Sequence, residues 1–487
     1  MKGKPVIVEP GYRRSVALLV AGTFFMENLD ATIIATAAPS IGISLGVDSA
    51  SVAITVTAYL VSVAVLIPLS GWLTERYGSR RVFLSAIVLF TLASALCAAS
   101  STLVELASFR VLQGIGGAMM VPVGRLTVLR GTSKDELVRA IALLTWPALV
   151  APVIAPLLGG VLATYASWRW IFLINLPLGV LAFGAGYRLL DHERPLRPQA
   201  LDVTGLVLVG VGLGSMVGAS SLLSSRSPNW PLAVLTGGGG VMILVAAVRH
   251  LRNTAHPLLD LSVLRIPTMR LAHAGGGVFR MTVSAVPFLL PLMFQDVFGW
   301  SAVRAGSVAL FVFVGNLAIK PLTTPLLRRF GFRTVLLGAT SMVLITMLGA
   351  AFLSSATPLW LTIALITVSG AARSVGFTGY NTIAFSDVPQ SRMTAANTVA
   401  STLQQLAAGF GVAVAAMSVQ AGSVLPWFAA GGSSGASGTA PFRFAFLAIA
   451  ALTGLAVLEA RGLDSRAGDN IRPAQRARTA PGTTSGN

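Results

Sequence analysis

Long stretches almost free of charge recur along nearly the whole chain, and this feature decides the class of fold. Val52 to Leu73, Val82 to Ser100 and Val335 to Phe352 are examples. A bilayer core needs roughly 20 apolar residues per crossing helix, and runs of that size follow one another from the first quarter of the chain to the last. Of the 487 residues, 54% are hydrophobic and only 11% charged, with a mean hydropathy of +0.78. A soluble domain of this length needs far more charge to cover its surface. The expectation is an all-α integral membrane protein.

Charge-poor windows and the breaks between them place fourteen spans. They lie near 15–38, 50–72, 82–100, 104–127, 139–163, 169–190, 202–224, 231–250, 270–295, 303–325, 334–355, 358–382, 394–422 and 442–461. With the amino terminus inside, the inner connectors carry Arg76, Arg80, Arg81, Arg130, Lys134, Arg139, Arg194, Arg197, Arg252, Arg265, Arg328, Arg329, Arg333 and Arg392, and the tail adds five more arginines. The outer connectors hold Arg169, Arg226, Arg304 and Arg443. Cytoplasmic connectors are enriched in Lys and Arg, so this asymmetry places both termini in the cytoplasm. The net charge of +18 is then mostly an orientation signal, not the mark of a nucleic-acid partner. Contact of the basic tail with anionic lipid is a second use of the same charge. Glu27 and Asp30 interrupt the first apolar run, which therefore reads as an uncleaved helix and not a signal peptide. The single cysteine, Cys97, excludes disulfides within the chain.

An internal repeat divides the spans. Arg76-Tyr77-Gly78-Ser79-Arg80 follows the second span and Arg329-Phe330-Gly331-Phe332-Arg333 follows the tenth, 253 residues later. Spans one to six and nine to fourteen are thus equivalent bundles, with spans seven and eight inserted between them. The expected organisation is a first six-helix bundle over 1–190, an inserted helix pair and linkers over 191–265, a second six-helix bundle over 266–462, and a disordered cytoplasmic tail over 463–487. A Gly-rich polar stretch at 431–440 reads as an outer loop.

Four motifs carry a resemblance. Gly71-Trp72-Leu73-Thr74-Glu75-Arg76-Tyr77-Gly78-Ser79-Arg80-Arg81 resembles the signature loop of the major facilitator superfamily, and Phe109 to Gly117 resembles its fourth-helix motif. Leu29-Asp30-Ala31-Thr32-Ile33 with Ala38-Pro39, and Trp168 to Gly179, resemble the first- and sixth-helix motifs of its fourteen-helix drug:proton antiporters, the EmrB/QacA group. Gly117 to Arg125 is similar to the MdtD and HsrA type of bacterial efflux homologue within that group. The resemblance implies a major facilitator fold of two six-helix bundles plus two central helices. It also implies a proton-coupled exporter of small amphipathic compounds, multidrug efflux included, in the bacterial cytoplasmic (inner) membrane. Such a protein works by alternating access, as a monomer, driven by the proton gradient with no cofactor and no metal. Its partners are a small-molecule substrate and the lipid bilayer. Two departures stand out. Glu75 replaces the usual Asp, and Ala151 and Ala155 stand where the fifth-helix antiporter motif has glycines that allow close helix approach. The second leaves import by symport open as an alternative direction.

A carboxylate within the bilayer is costly and is a functional candidate by default. Glu27 and Asp30 are the acids deep inside a predicted span, and their i, i+3 spacing puts both on one helix face. Two carboxylates this close repel when both are ionised, which suits a group that binds a proton on one side of the membrane and releases it on the other. The alternatives are an acid that only locks helix packing and, for Glu27, contact with substrate. Arg110 in the fourth span is the expected partner of Asp30, either in a pair that opens when the acid protonates or in a permanent one. The second bundle offers Arg280, Lys320 and Arg373 with no deep acid to match them. Either they snorkel toward span ends, or the cavity accepts zwitterionic and anionic compounds as well as cations. Met26, Tyr59, Gln113, Met120, Trp146, Phe294, Phe377 and Tyr380 are candidates for the cavity lining.

Gly71, Glu75, Arg76, Gly78, Arg80 and Arg81, with Arg329, Gly331 and Arg333 in the second bundle, are the expected gating loops. Gly71 and Gly78 allow tight helix ends, and Glu75 meets cations across the bundle interface. The other reading of these charges is that they only set topology. Pro147, Pro152, Pro156, Pro287 and Pro291 imply kinked or locally unwound spans. A receptor or assembly factor is the remaining rival class. An enzyme is not expected: the chain has no Gly-Lys-Ser/Thr phosphate loop, four scattered histidines and no nucleophile elbow.

Overall fold

The computed structural model describes residues 14–47, 51–133, 136–191, 200–223, 229–300, 302–424 and 439–463. The expected tail beyond 463, most of the 431–440 loop, and Lys134, Arg194, Arg197 and Arg226 lie outside them.

The regular secondary structure of the described residues is helical. In order, the helices are α1 (Arg14–Leu45), α2 (Ala53–Leu66), α3 (Leu69–Tyr77), α4 (Ser79–Ala99), α5 (Leu103–Arg130), α6 (Leu137–Tyr165), α7 (Trp170–Leu173), α8 (Asn175–Leu189), α9 (Val203–Leu223) and α10 (Trp230–Asn253). They continue with α11 (Pro267–Asp296), α12 (Ala302–Ala309), α13 (Phe311–Ala318), α14 (Lys320–Ala351), α15 (Leu359–Ser386), α16 (Met393–Val424) and α17 (Ala440–Arg461). Among the described residues ten helices are long and apolar enough to cross a membrane, or eleven if α2 and α3, bent by 59°, form one span. Three further apolar helices are shorter: Leu137–Trp146, Val203–Ala219 and Arg304–Ala318. These are compatible with the expected fourteen.

Breaks fall where the residues impose them. Pro68 caps α3 and brings no amide hydrogen to continue α2, so the second span bends there. By contrast α6 stays helical through Pro147, Pro152 and Pro156, and α11 through Pro287 and Pro291. The local unwinding expected at those prolines is not seen. The repeat is visible in the backbone: Gly78 has φ 82 and ψ 147, and Gly331 has φ 79 and ψ 165.

Within the first half α1 packs on α6, α4 on α5 and α8, and α2 on α5; within the second, α14 packs on α15 and α17, and α11 on α16 and α17. Ala151 and Ala155 are fully buried in an apolar cluster with Leu29, Ile33 and Ala37 of α1, so this packing accommodates the two extra methyl groups. The helices α9 and α10 pack together, and α9 lies against both α2 and α16. Large apolar residues remain exposed on the outer faces, Leu181, Met242, Ile345 and Leu455 among them, as suits helices surrounded by lipid.

Candidate functional site

Asp30 sits in mid-α1 at 1% exposure and Arg110 in α5 at 0%. An isolated charge at either position would cost far more than folding can spare, and the two form an ion pair through Arg110 Nη1 and Asp30 Oδ2. The rest of Asp30 is satisfied by neutral amides. Gln113 Nε2 donates to its Oδ1 at 2.9 Å and Asn175 Nδ2 at 2.8 Å. Both amides also reach Ser94 Oγ, at 2.6 and 3.2 Å. Arg110 Nη1 also donates to Gln113 Oε1 at 2.6 Å, and Nε lies 3.4 Å from the Thr55 carbonyl. The arrangement closes around one turn of α5, since Arg110 and Gln113 are an i, i+3 pair on one face. Asn175 enters from the start of α8. It lies inside the Trp168–Gly179 motif, yet neither it nor Ser94 was singled out from the sequence. Their roles follow from which amides the fold brings to the carboxylate.

Glu27 occupies a different environment. It lines a cavity of ≈ 440 Å³ between the two halves, whereas Asp30 is turned into the first bundle. The two acids share a helix but not a site. Tyr59 of α2 stands between them: its hydroxyl donates to Glu27 Oε1 at 3.3 Å, and its ring face lies 4.1 Å from the Arg110 guanidinium carbon. One aromatic side chain therefore touches both the cavity acid and the buried ion pair.

Of the expected lining residues, Tyr59, Arg280 and Phe377 face this cavity. The others do not. Gln113 is held in the Asp30 cluster. Met26 and Met120 are packed in the core of the first bundle. Trp146 points outward at 45% exposure. Phe294 stacks with Phe298 and Trp300, and Tyr380 packs on Phe279. Lys320 bonds Thr378 Oγ1 at 2.9 Å, and Arg373 bonds the Val283 carbonyl at 2.5 Å. In a bilayer both faces of a helix are apolar, so an aromatic or thioether side chain does not announce which way it points.

The sequence reading also missed much of what lines the cavity: Asn28, Arg125, Asn381, Ser401, Gln404 and Gln405. Polar residues inside apolar spans were the available signal. Arg125 on α5 crosses to α16, donating from Nε to Asn397 Oδ1 at 2.8 Å, from Nη1 to Gln404 Oε1 at 3.2 Å, and from Nη2 to Ser401 Oγ. Asn397 Nδ2 returns a bond to the Pro122 carbonyl at 2.9 Å, and Arg130 reaches Thr394. Beside this seam lies Gly71. It is buried within α3, not at a helix end as expected, and a Cβ there would stand 2.4 Å from Thr398 Oγ1. Its missing side chain is what lets α3 lie against α16. Glu75 is half-buried under the charge of Arg130 from its own half, not of a cation across the interface.

The remaining loop charges are dispersed. Arg80 bonds the Tyr187 carbonyl at 2.6 Å and stacks on its ring. Arg76 stacks on Trp72 and Tyr77, and Arg329 on Phe330. Arg81 and Arg333 are exposed. Gly78 and Gly331 form the joints already described.

Residues 20–412 match the family model of the Major Facilitator Superfamily. The chain belongs to that superfamily. It is a multi-pass membrane transporter, and like the superfamily's other members it acts on small molecules within a lipid bilayer. The chain is 37% identical over 404 residues to a protein of Salmonella typhimurium named "Putative multidrug resistance protein MdtD", covering 82% of this chain and 85% of that one. The protein of the same name from Serratia proteamaculans is 36% identical over 401 residues, covering 82% and 83%. Among solved structures, the human organic anion transporter MFSD10 superposes with a TM-score of 0.65 at 15% identity, covering 92% of this chain and 99% of that one. The proton:xylose symporter XylE gives 0.59 at 17% identity, covering 92% and 94%. Both are superfamily folds, and at these identities the likeness is one of fold.

Proposed function

We propose that this transporter exports small amphipathic compounds, drugs or metabolites, in exchange for protons by alternating access. It would reside in a bacterial inner membrane with both termini in the cytoplasm and act as a monomer driven by the proton gradient. Its working parts are a first bundle over 1–190, a second over 266–462, and the inserted pair between them. The names of the MdtD relatives support the export of drugs. The observation that carries the coupling is the placement of Tyr59, in contact with Glu27 in the cavity and with the Arg110–Asp30 pair behind it.

In this reading Asp30 and Glu27 exchange protons and Arg110 answers to the charge on Asp30. When Asp30 takes a proton the guanidinium loses its counter-charge, and its nearest other contacts are Gln113, Thr55 and the Tyr59 ring. A buried cation cannot stay uncompensated, so protonation favours whichever bundle arrangement supplies it a new partner. In the same reading the contacts of Gly71, Arg125 and Arg130 with α16 serve as the inner gate.

The test is proton movement in proteoliposomes driven by a gradient of a transported compound. Antiport moves protons against the substrate flow and symport moves them with it, so the sign separates export from the import alternative that Ala151 and Ala155 leave open. Asp30→Asn is expected to abolish proton movement. Full proton movement in that variant would remove Asp30 from the coupling mechanism.

A further inference from the structure

One buried arginine is matched by an acid, whereas two arginines that line the cavity, one from each half, bond neutral groups. Arg110 has Asp30. Arg280 of α11, which lines the cavity, has a neutral amide instead: its Nη2 donates to Asn381 Oδ1 at 2.5 Å, and its guanidinium stacks on Phe377 at 4.4 Å. Arg125, on the facing half and lining the same cavity, donates to the neutral oxygens of Asn397, Gln404 and Ser401. The two guanidiniums are joined by an amide relay, because Asn381 Oδ1 also accepts from Gln404 Nε2 at 3.3 Å and Gln404 Oε1 accepts from Arg125.

Amide dipoles can satisfy N–H groups, but they cannot cancel net charge. Two like charges facing one cavity away from bulk water repel. Among the described lining residues Glu27 is the one acid, and it is hydrogen-bonded to the Tyr59 hydroxyl. The counter-charge for Arg125 and Arg280 is missing from the described protein.

We infer that Arg125 and Arg280 form an anion subsite of the cavity, so that the compounds this transporter takes carry a carboxylate or a similar planar oxyanion. The inference rests on the transport reading above and names its substrate class. A guanidinium presents a rigid fork of donors that matches a carboxylate two bonds at a time. Phe377, Phe385, Leu60 and Val63 offer apolar wall for the rest of an amphipathic molecule. A carboxylate placed between the two arginines exchanges repulsion for two charge-assisted contacts.

The test uses three probes with one naphthyl body: naphthylacetate, naphthylethylammonium and naphthylalanine. Their equilibrium binding is measured on the purified full-length protein in nanodiscs. The carboxylate and the zwitterion are expected to bind wild type. Arg280→Gln is expected to lower the ratio of carboxylate to ammonium affinity by at least about tenfold, with Arg125→Gln acting in the same direction. Arg280→Lys keeps the charge but not the fork and should fall between wild type and Arg280→Gln in that ratio, which separates loss of the subsite from loss of folding. The inference is overturned if the ammonium probe alone binds wild type, if no probe binds, or if the ratio is unchanged in both glutamine variants. Binding is read without a proton gradient. Carboxylate binding with no proton exchange would therefore sink the export reading and keep the subsite, whereas proton-coupled export of the ammonium probe alone would do the reverse.

Discussion

Gly78 and Gly331, 253 residues apart, hold the same left-handed backbone, φ 82 and ψ 147 in one and φ 79 and ψ 165 in the other. Each joins two helices at the same point of the repeat. Side chains with a Cβ rarely adopt this conformation, and forcing one there costs on the order of 1–3 kcal/mol. Gly78→Ala and Gly331→Ala should each lower the thermal unfolding midpoint of the purified protein, by similar amounts. A variant as stable as wild type would show that its joint does not depend on glycine.

The Arg110–Asp30 pair is enclosed, so removing one member leaves the other without compensation. Arg110→Gln and Asp30→Asn should each destabilise the protein by about 3–5 kcal/mol. The double variant should be less damaged than the two losses added together. Unfolding of all four proteins under one condition gives the coupling as a double-mutant cycle. Strict additivity would mean that the ion pair contributes nothing of its own.

Tyr59 has two separable functions in the geometry. Tyr59→Phe deletes the hydroxyl on Glu27 but keeps the ring under Arg110, and should cost no more than about 1.5 kcal/mol of stability. Tyr59→Ala also removes a buried ring and should cost about 3–5 kcal/mol. If the hydroxyl is the link between cavity and ion pair, the phenylalanine variant folds normally and shows weakened coupling between substrate and proton movement. Normal coupling in that variant would place the link elsewhere.

Gly71 is where α3 and α16 touch, with Thr398 occupying the space a side chain would need. Gly71→Leu should force that seam apart while leaving each bundle's own core intact. The expected result is a protein that is produced and inserted but transports poorly, with faster proteolysis of its loop connectors from the side bearing Gly78. Full transport would mean that the seam is slack.

One residue before α9, Asp202 ties the start of that helix to the connector after α10. His250 Nε2 lies 2.8 Å from its Oδ1, and the backbone N–H groups of Gly205 and Leu258 donate to it at 2.7 and 3.2 Å. Burial works against ionisation of this carboxyl, but the bonds from His250, Gly205 and Leu258 outweigh it and hold the group below the usual carboxylate range. A carboxyl held low in the folded state adds stability above its unfolded value, near 4, and loses it as the pH falls through the folded one. Asp202→Asn should therefore lower the unfolding midpoint at neutral pH, and the gap to wild type should close under acid. A gap that stays unchanged from neutral pH into strong acid would assign the effect to something other than charge.

What the sequence made legible follows from contrast. Asp30, Glu27 and Arg110 stood out because ionisable groups are rare in apolar runs, and the Gly78–Gly331 repeat stood out because a short motif recurred in register. The motifs also sufficed for the superfamily. Neutral side chains gave no such contrast: Asn175 and Ser94 complete the Asp30 cluster, and Gln404 and Asn381 bridge two arginines, only because helices distant in sequence converge. Trp146 and Phe294 were misplaced for a related reason, since apolar side chains face lipid, core and cavity alike. Arg125 shows a further limit. It lay inside a quoted motif, but its partners sit some 270 residues away on α16.

Cys97, the chain's one sulfhydryl, is fully buried beside Gln113, with Sγ 3.8 Å from Oε1. The native protein is thus almost silent to water-soluble maleimides in the arrangement described. Reporter cysteines introduced on either side of the α3–α16 seam can be read against that quiet background without first deleting the natural one. Any condition under which Cys97 itself becomes alkylated would register an opening of the shell around Asp30, a built-in tracer for the step proposed to couple protons to movement.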